Sequence, residues 1–344
     1  MGEDYSSPIS LKEILMKIGV IGAGAIVGGF LEAQKKIDSL VIKTICGLVN
    51  DKQTMESFAS DYGISKIVYD YQEVINDPDI DTVYIAVPNI YHYPYAKLAL
   101  EMGKNVFIEK PITVNDQQLV ELINIASEKK LFVFEGVTNL YQDSYAKLQQ
   151  WIKNIGKIKI VSVNYTVFSK RYLAFRDSTK VYPCFNKKTG GGIMMDMGVY
   201  AINFVVGLFG SPIAQHYYAN IEKGIDTSGT IILEYEEFIC TLVISKDSRA
   251  NSKISIQGVD GVIDSASAVN DIKDLTLTLY KGYEMIDQNK YILKDESSHL
   301  LSEIKYFAEM VYNKDYEKRD KCMKHSLQVM KIVTHCLKDI GIEY

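Results

Sequence analysis

From Lys17 to Glu135, short apolar runs alternate with stretches of helical spacing, and the first run closes on Gly22-Ala23-Gly24. No other feature of the chain restricts its fold as much. Lys17–Gly22, Leu40–Val49, Lys66–Tyr69, Asp81–Pro88, Asn105–Glu109 and Leu131–Glu135 read as strands. Most are largely apolar on both faces, as strands are when helices cover both sides of a sheet. Ala25–Lys36, Thr54–Tyr62, Tyr71–Asn76, His92–Met102 and Asp116–Lys129 carry helical periodicity between them. Elements alternating over short connections make an α/β unit with a doubly wound parallel (Rossmann) sheet.

Past residue 136 the rhythm changes. A helix over Ser144–Ile155 leads to Lys159–Phe168, which alternates like an antiparallel strand. A glycine-rich segment, Gly190–Tyr200, opens a helix reaching about Phe209. Strands follow in series at Ala214–Ile221, Thr230–Tyr235, Phe238–Ser245, Ser252–Gln257 and Leu275–Tyr280, and helices at Leu300–Tyr312 and Cys322–Leu337 close the chain. This order predicts an α+β domain with an open, mainly antiparallel sheet. A chain of 344 residues can bury two such cores. The expected division is an extension over residues 1–16, a dinucleotide-binding domain over 17–135, and a substrate-binding and oligomerisation domain over 136–344. Within the extension Ser10–Leu15 can form a short helix, and Met16 can equally be the natural start.

The turn after the first strand has the setting a dinucleotide requires. Gly22 permits the tight turn, and Gly24 lets a pyrophosphate approach the backbone. Ala25 and Ile26 open the helix, whose first amides and dipole favour an anion. The third position of the fingerprint is Val27, larger than usual. At the end of the second strand Asn50 and Asp51 are the candidates to meet the cofactor ribose, though Asp51 can instead cap the helix beginning near Gln53. The choice between NAD and NADP stays open on this reading. Pro88, Asn89 and His92 follow another strand end, where open α/β sheets bind ligands. Asn89 is expected to contact the cofactor, and His92 either to do so or, by preference, to orient its own helix.

Two further motifs carry chemistry: Glu109-Lys110-Pro111, and Asp196-x-Gly198-x-Tyr200 behind Gly190-Gly191-Gly192. Oxidising a secondary alcohol requires a base for the hydroxyl proton as hydride leaves for a nicotinamide. A phenol titrating near ~10 is a poor base at neutral pH, and a neighbouring ammonium would lower it. Tyr200 is therefore the expected acid/base, Lys110 its electrostatic partner, and Asp196 the carboxylate that orients substrate or holds Lys110. Glu109 and Lys110 are also placed against the cofactor, and base rates favour a trans peptide before Pro111. Arg171, after the strand ending at Phe168, is expected to bind substrate with Lys110, Asp196 and Tyr200, or else to lie in a solvated basic turn.

Taken together, these motifs resemble the glucose–fructose oxidoreductase / inositol dehydrogenase / MocA (Gfo/Idh/MocA) family, from about Lys17 almost to the end of the chain. Where this chain has Tyr200 the family commonly has histidine. Asp-x-Gly-x-Tyr is similar instead to the dimeric dihydrodiol dehydrogenase branch, which also oxidises D-xylose with NADP. Phe134-Glu135-Gly136 resembles that branch's Met-Glu-Ala, whereas Thr138-Asn139-Leu140 lacks its arginine. The resemblance implies an NAD(P)-dependent oxidoreductase acting on a sugar, polyol or cyclic diol. An inositol- or glucose-type dehydrogenase with tyrosine in place of histidine is the runner-up. A non-catalytic dinucleotide- or sugar-binding regulator of the same fold is the alternative from another class.

Other classes lack a signal. Net charge is −5 with acids and bases interspersed, so no basic face calls for nucleic acid. No uninterrupted apolar run reaches the roughly 20 residues of a membrane helix. Five scattered cysteines form no paired motif, which points to a reducing, cytoplasmic setting. The histidines form no zinc motif, no G-x-S-x-G appears, and no metal is expected. A small-molecule substrate and a homodimer or homotetramer, joined through the C-terminal sheet, complete the expectation.

Overall fold

The structure, a computed structural model, describes residues 15–293 and 300–344. The short helix expected over Ser10–Leu15 falls almost wholly outside these residues, as does the extension before Leu15. The first layer runs β1 (Met16–Ile21), α1 (Ala25–Gln34), β2 (Leu40–Cys46), α2 (Lys52–Tyr62), β3 (Lys66–Val68) and α3 (Tyr71–Ile75). It continues through β4 (Thr82–Ile85), α4 (His92–Glu101), β5 (Asn105–Glu109), α5 (Asp116–Lys129) and β6 (Val133–Gly136). The strands pair in parallel in the order β3-β2-β1-β4-β5-β6. Chain order reverses between β1 and β4, and the crevice beyond their carboxyl ends is where this architecture binds ligands. Gly19 belongs to that design: a Cβ there would stand 2.3 Å from Val74 Cγ1, so glycine lets α3 lie directly on β1.

The second layer begins with α6 (Asp143–Trp151), β7 (Ile158–Thr166), α7 (Lys170–Arg176) and α8 (Val199–Phe209). β8 (Ala214–Glu222), β9 (Ile225–Glu234), β10 (Ile239–Ser245), β11 (Lys253–Gly258), β12 (Gly261–Ser265), β13 (Asp274–Lys281) and β14 (Glu284–Ile292) follow. They form one sheet ordered β14-β13-β12-β11-β7-β10-β9-β8, in which β7 and β10 run parallel and the other neighbours antiparallel. Three elements differ from the expectation. α7 replaces a basic turn, because Ser169 accepts from Arg171 N and starts a helix. β12 is short, and β14 is an exposed, mostly polar edge strand, so neither shows the apolar alternation that marks a strand.

The last two helices tie the layers together. α9 (Leu300–Tyr312) sends Leu300, Ile304 and Phe307 into the core of the first sheet, beside Phe30, Tyr84 and Phe107. α10 (Tyr316–Asp339) starts ahead of the expected Cys322, because the Asp315 side chain accepts from Lys318 N and caps it. Lys187–Phe209 forms a helical run long and apolar enough by composition to cross a membrane; 72% of its apolar window is buried in the fold. It is a core helix, and it delivers Asp196 and Tyr200.

Candidate active site

A cleft of about 660 Å³ opens at the β1/β4 crevice and extends to the glycine run before α8. Its first wall is the turn Gly22–Gly24. Gly22 has φ +130°, and a Cβ there would stand 2.2 Å from the Ala86 carbonyl oxygen, so only glycine fits. Nothing lies within 4 Å of a Cβ built on Gly24. Gly24 also begins α1 without any side-chain cap, leaving the Ala25 and Ile26 amides at an open helix start with no acid in the first turn. An open cradle, free amides and a helix dipole fit a pyrophosphate.

The β2 end gives a different answer for each candidate. Asp51 lines the cleft, yet its Oδ2 accepts from Leu48 N at 3.1 Å and so closes the local turn. Asn50 is exposed and is not among the lining residues. Pro88 and Asn89 line the cleft, and Asn89 Nδ2 donates to the Gly190 carbonyl at 2.7 Å, tying the first layer to the glycine run. Tyr69, Tyr71, Tyr91 and Tyr95 add an aromatic wall, with the Tyr71 and Tyr95 rings stacked 4.1 Å apart.

Two residues expected against the cofactor lie elsewhere. His92 is 1% exposed, with its ring nitrogens 2.8 Å from the carbonyl oxygens of Pro111 and Val87. It braces two loops at the start of its helix, a structural place in keeping with the non-cofactor alternative above. Glu109, the last residue of β5, turns into the core and accepts from Tyr84 Oη at 2.6 Å. Burial pushes its pKa up against the pull of that hydrogen bond and of Lys110. Strand alternation then sends the next side chain, Lys110, to the opposite side and into the cleft. The Lys110–Pro111 peptide is cis.

Lys110 Nζ donates to the Asp196 carbonyl and to Asp196 Oδ1, both at 2.8 Å. Burial lowers its pKa from the usual lysine value, while Glu109 works to raise it. Asp196 Oδ2 is held by a second ammonium, that of Lys246 just beyond β10. Lys246 was missed by sequence reasoning, since a lone lysine after an apolar strand carries no signal of its own. Burial, Lys110 and Arg171 draw it down to about 8, although Cys184 opposes them and the adjacent Asp196 carboxylate favours the charged form.

The segment carrying Asp196 is itself pinned. Gly192 has φ +131°, and a Cβ on it would stand 2.2 Å from Asp226 Oδ1. Asp226 Oδ2 in turn accepts from Met194 N and Tyr217 Oη, each at 2.8 Å, capping the start of the helical run. A wide π-type turn over Met194–Gly198 then sets Asp196 toward the lysines.

Tyr200 corrects the expectation in part. Its ring lies under Lys110, with Nζ 4.7 Å from the ring centroid, but it is not among the residues lining the cleft. The phenol is held well above its ordinary value by burial and by Glu109, Glu303 and Glu135, an effect that Thr138 only partly offsets. The lysine therefore does not make it a resting phenolate. Asn139 Nδ2 donates to the Tyr200 carbonyl at 3.0 Å, so the segment that lacks the expected arginine braces Tyr200. Arg171, on α7, does line the cleft.

A dinucleotide cradle at a topological switch point, with an ammonium held beside it, defines an NAD(P)-dependent dehydrogenase. A model described as "Oxidoreductase family, NAD-binding Rossmann fold" matches residues 16–137, and one for the Gfo/Idh/MocA C-terminal domain matches residues 145–264. The chain belongs to the Gfo/Idh/MocA family. The scyllo-inositol 2-dehydrogenase (NADP(+)) of Bacillus subtilis is 28% identical over 334 residues, covering 96% of this chain and 98% of that protein. A trans-1,2-dihydrobenzene-1,2-diol dehydrogenase of Xenopus tropicalis is 29% identical over 226 residues, 64% of this chain and 65% of that protein. Among solved structures, a 3-ketoreductase from Actinomadura kijaniata in complex with NADP and TDP-benzene superimposes with TM-score 0.78 at 19% identity, covering 93% and 96%. Levoglucosan dehydrogenase in complex with NADH and levoglucosan does so with TM-score 0.79 at 16% identity, covering 95% and 97%. These last two are likenesses of fold.

Proposed function

We propose that this protein transfers a hydride between a nicotinamide and a secondary alcohol of a sugar, polyol or cyclic diol, with Tyr200 as acid/base assisted by Lys110. The observation that carries the reading is a single ammonium, Lys110, which meets Asp196 at 2.8 Å, lies over Tyr200 and faces the cleft. The Gly22–Gly24 turn, Ala25 and Ile26 would hold the pyrophosphate, Asn89 would contact the cofactor, and a nicotinamide held there would be the hydride donor or acceptor. Lys110 polarises the reacting oxygen, and Asp196 fixes its position. Tyr200, resting as a neutral phenol, gives a proton to a carbonyl oxygen in reduction and takes one back in oxidation. Residues 17–135 serve the cofactor, and residues 136–344 serve substrate and assembly. The outer face of the large sheet exposes Ile160, Tyr218 and Ile239, which a second copy covers in a homodimer or homotetramer. Unpaired cysteines suit work in the cytoplasm.

The test titrates NAD and NADP, then follows reduced-nicotinamide absorbance over a panel of sugars, inositols and diols. Tyr200→Phe and Lys110→Met should each bind cofactor within a few-fold of the parent, yet lose turnover by about a hundredfold or more. Retained turnover in Tyr200→Phe would remove the phenol from the chemistry. Cofactor binding without turnover of any substrate would favour the regulatory alternative.

A further inference from the structure

The end of the cleft at Asp196 holds more cations than its carboxylate can neutralise. Lys110 and Arg171 line it, Lys246 stands directly behind, and Asp196 is the acid that joins both lysines. Lys110 has two of its three N–H groups committed to Asp196, whereas Lys246 has one committed. Arg171 forms no ion pair among the described residues. Its guanidinium has Cys184 Sγ at 4.0 Å from Nη1 and the Tyr182 ring centroid at 5.4 Å. Lys246 is shielded, its side chain 17% exposed, with the Phe185 ring centroid 6.0 Å away. Arg171 and Lys110 lie near enough to Lys246 to oppose its charge. Cations gathered in a shielded place repel one another until an anion enters.

The remaining charged lining residue, Asp51, is at the other end of the cleft and is engaged with Leu48 N. The cofactor pyrophosphate has its own cradle at Gly22–Gly24. A neutral polyol needs alternating donors and acceptors, not an excess of N–H donors. Resting on the dehydrogenase reading above, we propose that the substrate is a sugar or polyol bearing an anionic group, a carboxylate or a phosphate ester. Arg171 and the free N–H groups of Lys246 hold that group, while Lys110 meets the carbon–oxygen bond being oxidised. An anion so placed accepts charge-assisted hydrogen bonds from a forked guanidinium and an ammonium together.

The experiment compares matched compounds that differ in charge: neutral aldoses and inositols, the corresponding sugar acids, and their phosphate esters. Each is assayed with NAD and NADP by reduced-nicotinamide absorbance. The anionic members should exceed their neutral partners in kcat/KM by about tenfold or more, the worth of one charged hydrogen-bond contact. In Arg171→Gln and Lys246→Met that ratio should collapse toward one, because KM for the anionic member rises well beyond whatever the neutral member loses, Lys246→Met costing both members part of the Asp196 clamp. Reduced-cofactor affinity, read by fluorescence without substrate, should stay within about twofold of the parent. Sugar acids preferred over phosphates, or the reverse, identifies the anion. Neutral compounds turned over as well as anionic ones overturn this inference alone, as does a large loss of cofactor affinity in the two variants, which would assign the cations to the cofactor. No hydride transfer with any compound overturns the dehydrogenase reading and this inference with it.

Discussion

Lys110 Nζ stands 4.7 Å from the centroid of the Tyr200 ring while donating to Asp196 Oδ1 at 2.8 Å. One ammonium thus links the open cleft to a phenol that does not line it. Among the described residues no hydrogen bond joins Nζ to the Tyr200 hydroxyl. The lysine touches the electron-rich ring face, as a cation–π pair does, and leaves the hydroxyl to its own surroundings. Burial first, and then the carboxyls of Glu109, Glu303 and Glu135, favour the protonated phenol, with Thr138 only partly opposing them. The resting Tyr200 is a neutral phenol in this setting.

With Tyr200 as the acid/base, that state would give the two reaction directions different responses to pH. Alcohol oxidation requires the proton-free base, whose fraction rises up to tenfold per pH unit below its pKa. The initial rate of oxidation should therefore climb from neutral into alkaline pH, then fall as Lys110, lowered by burial from its usual value, loses its proton. Ketone reduction starts from the neutral phenol and should stay level across neutral pH. Steady-state profiles in both directions check this, with Tyr200→Phe as the control that should lose the rising limb. A flat oxidation profile in the parent would assign the proton transfer to another group.

Asp196→Asn should break the clamp without breaking the fold. The carboxylate joins Lys110 and Lys246, and its loss leaves two shielded ammonium groups facing each other. Losing the carboxylate that positions Lys110 should lower kcat/KM by roughly a hundredfold, about 3 kcal/mol of transition-state stabilisation. Circular dichroism should remain that of the parent, since Asp226 and Gly192 still start the helical run. Activity within about twofold of the parent would show that Asp196 does not position Lys110.

How far the site was legible depended on whether a side chain's direction could be read from its neighbours. Gly22 and Gly24 were legible because turn chemistry is local and the strand before them is unmistakable. Lys110 was legible through its motif, but Glu109 was assigned to the cofactor and lies inside, because the motif names residues and not faces. His92 differs: a structural role was the preferred reading, and both ring nitrogens do face loop carbonyls, though position alone did not say which ones. Lys246 reaches Asp196 only because β10 lies beside β7 and β9, a pairing no local pattern announces. The polar strand β14 escaped because strand patterning depends on a buried face, and this edge has almost none.

Gly22→Ala should separate cofactor binding from folding. A Cβ there would meet the Ala86 carbonyl oxygen at 2.2 Å, and the backbone sits at φ +130°. Backbone strain of this kind costs about 1–3 kcal/mol, and relieving it must move the turn that cradles the pyrophosphate. Affinity for reduced cofactor should drop by about tenfold or more, with a Tm loss of only a few degrees. Unchanged affinity in a folded variant would place the pyrophosphate elsewhere.

Glu135 couples the same region to pH through stability. Its Oε1 accepts from Ile112 N at 3.2 Å and its Oε2 from Ser326 Oγ at 2.7 Å, tying the turn after Lys110 to α10. Burial pushes its pKa up to about 7, with Ser326 and Ile112 pulling the other way. The unfolded chain has an ordinary glutamate near ~4.3. A folded value above the unfolded one means that the native state holds the proton more tightly. The resulting stability is complete below the unfolded value and is lost as pH rises through about 7. Glu135→Gln keeps the shape and both partners but removes this titration. The Tm of the variant minus that of the parent should therefore increase between about pH 5 and 8, by a few degrees at roughly 1–2 °C per kcal/mol for a chain of this length. Glu109 and Glu303, also raised by burial, keep part of the parent's slope in the variant, which is why the difference is the quantity to measure. A difference constant across that window would mean that Glu135 is charged in the native protein throughout, with its two hydrogen bonds outweighing burial.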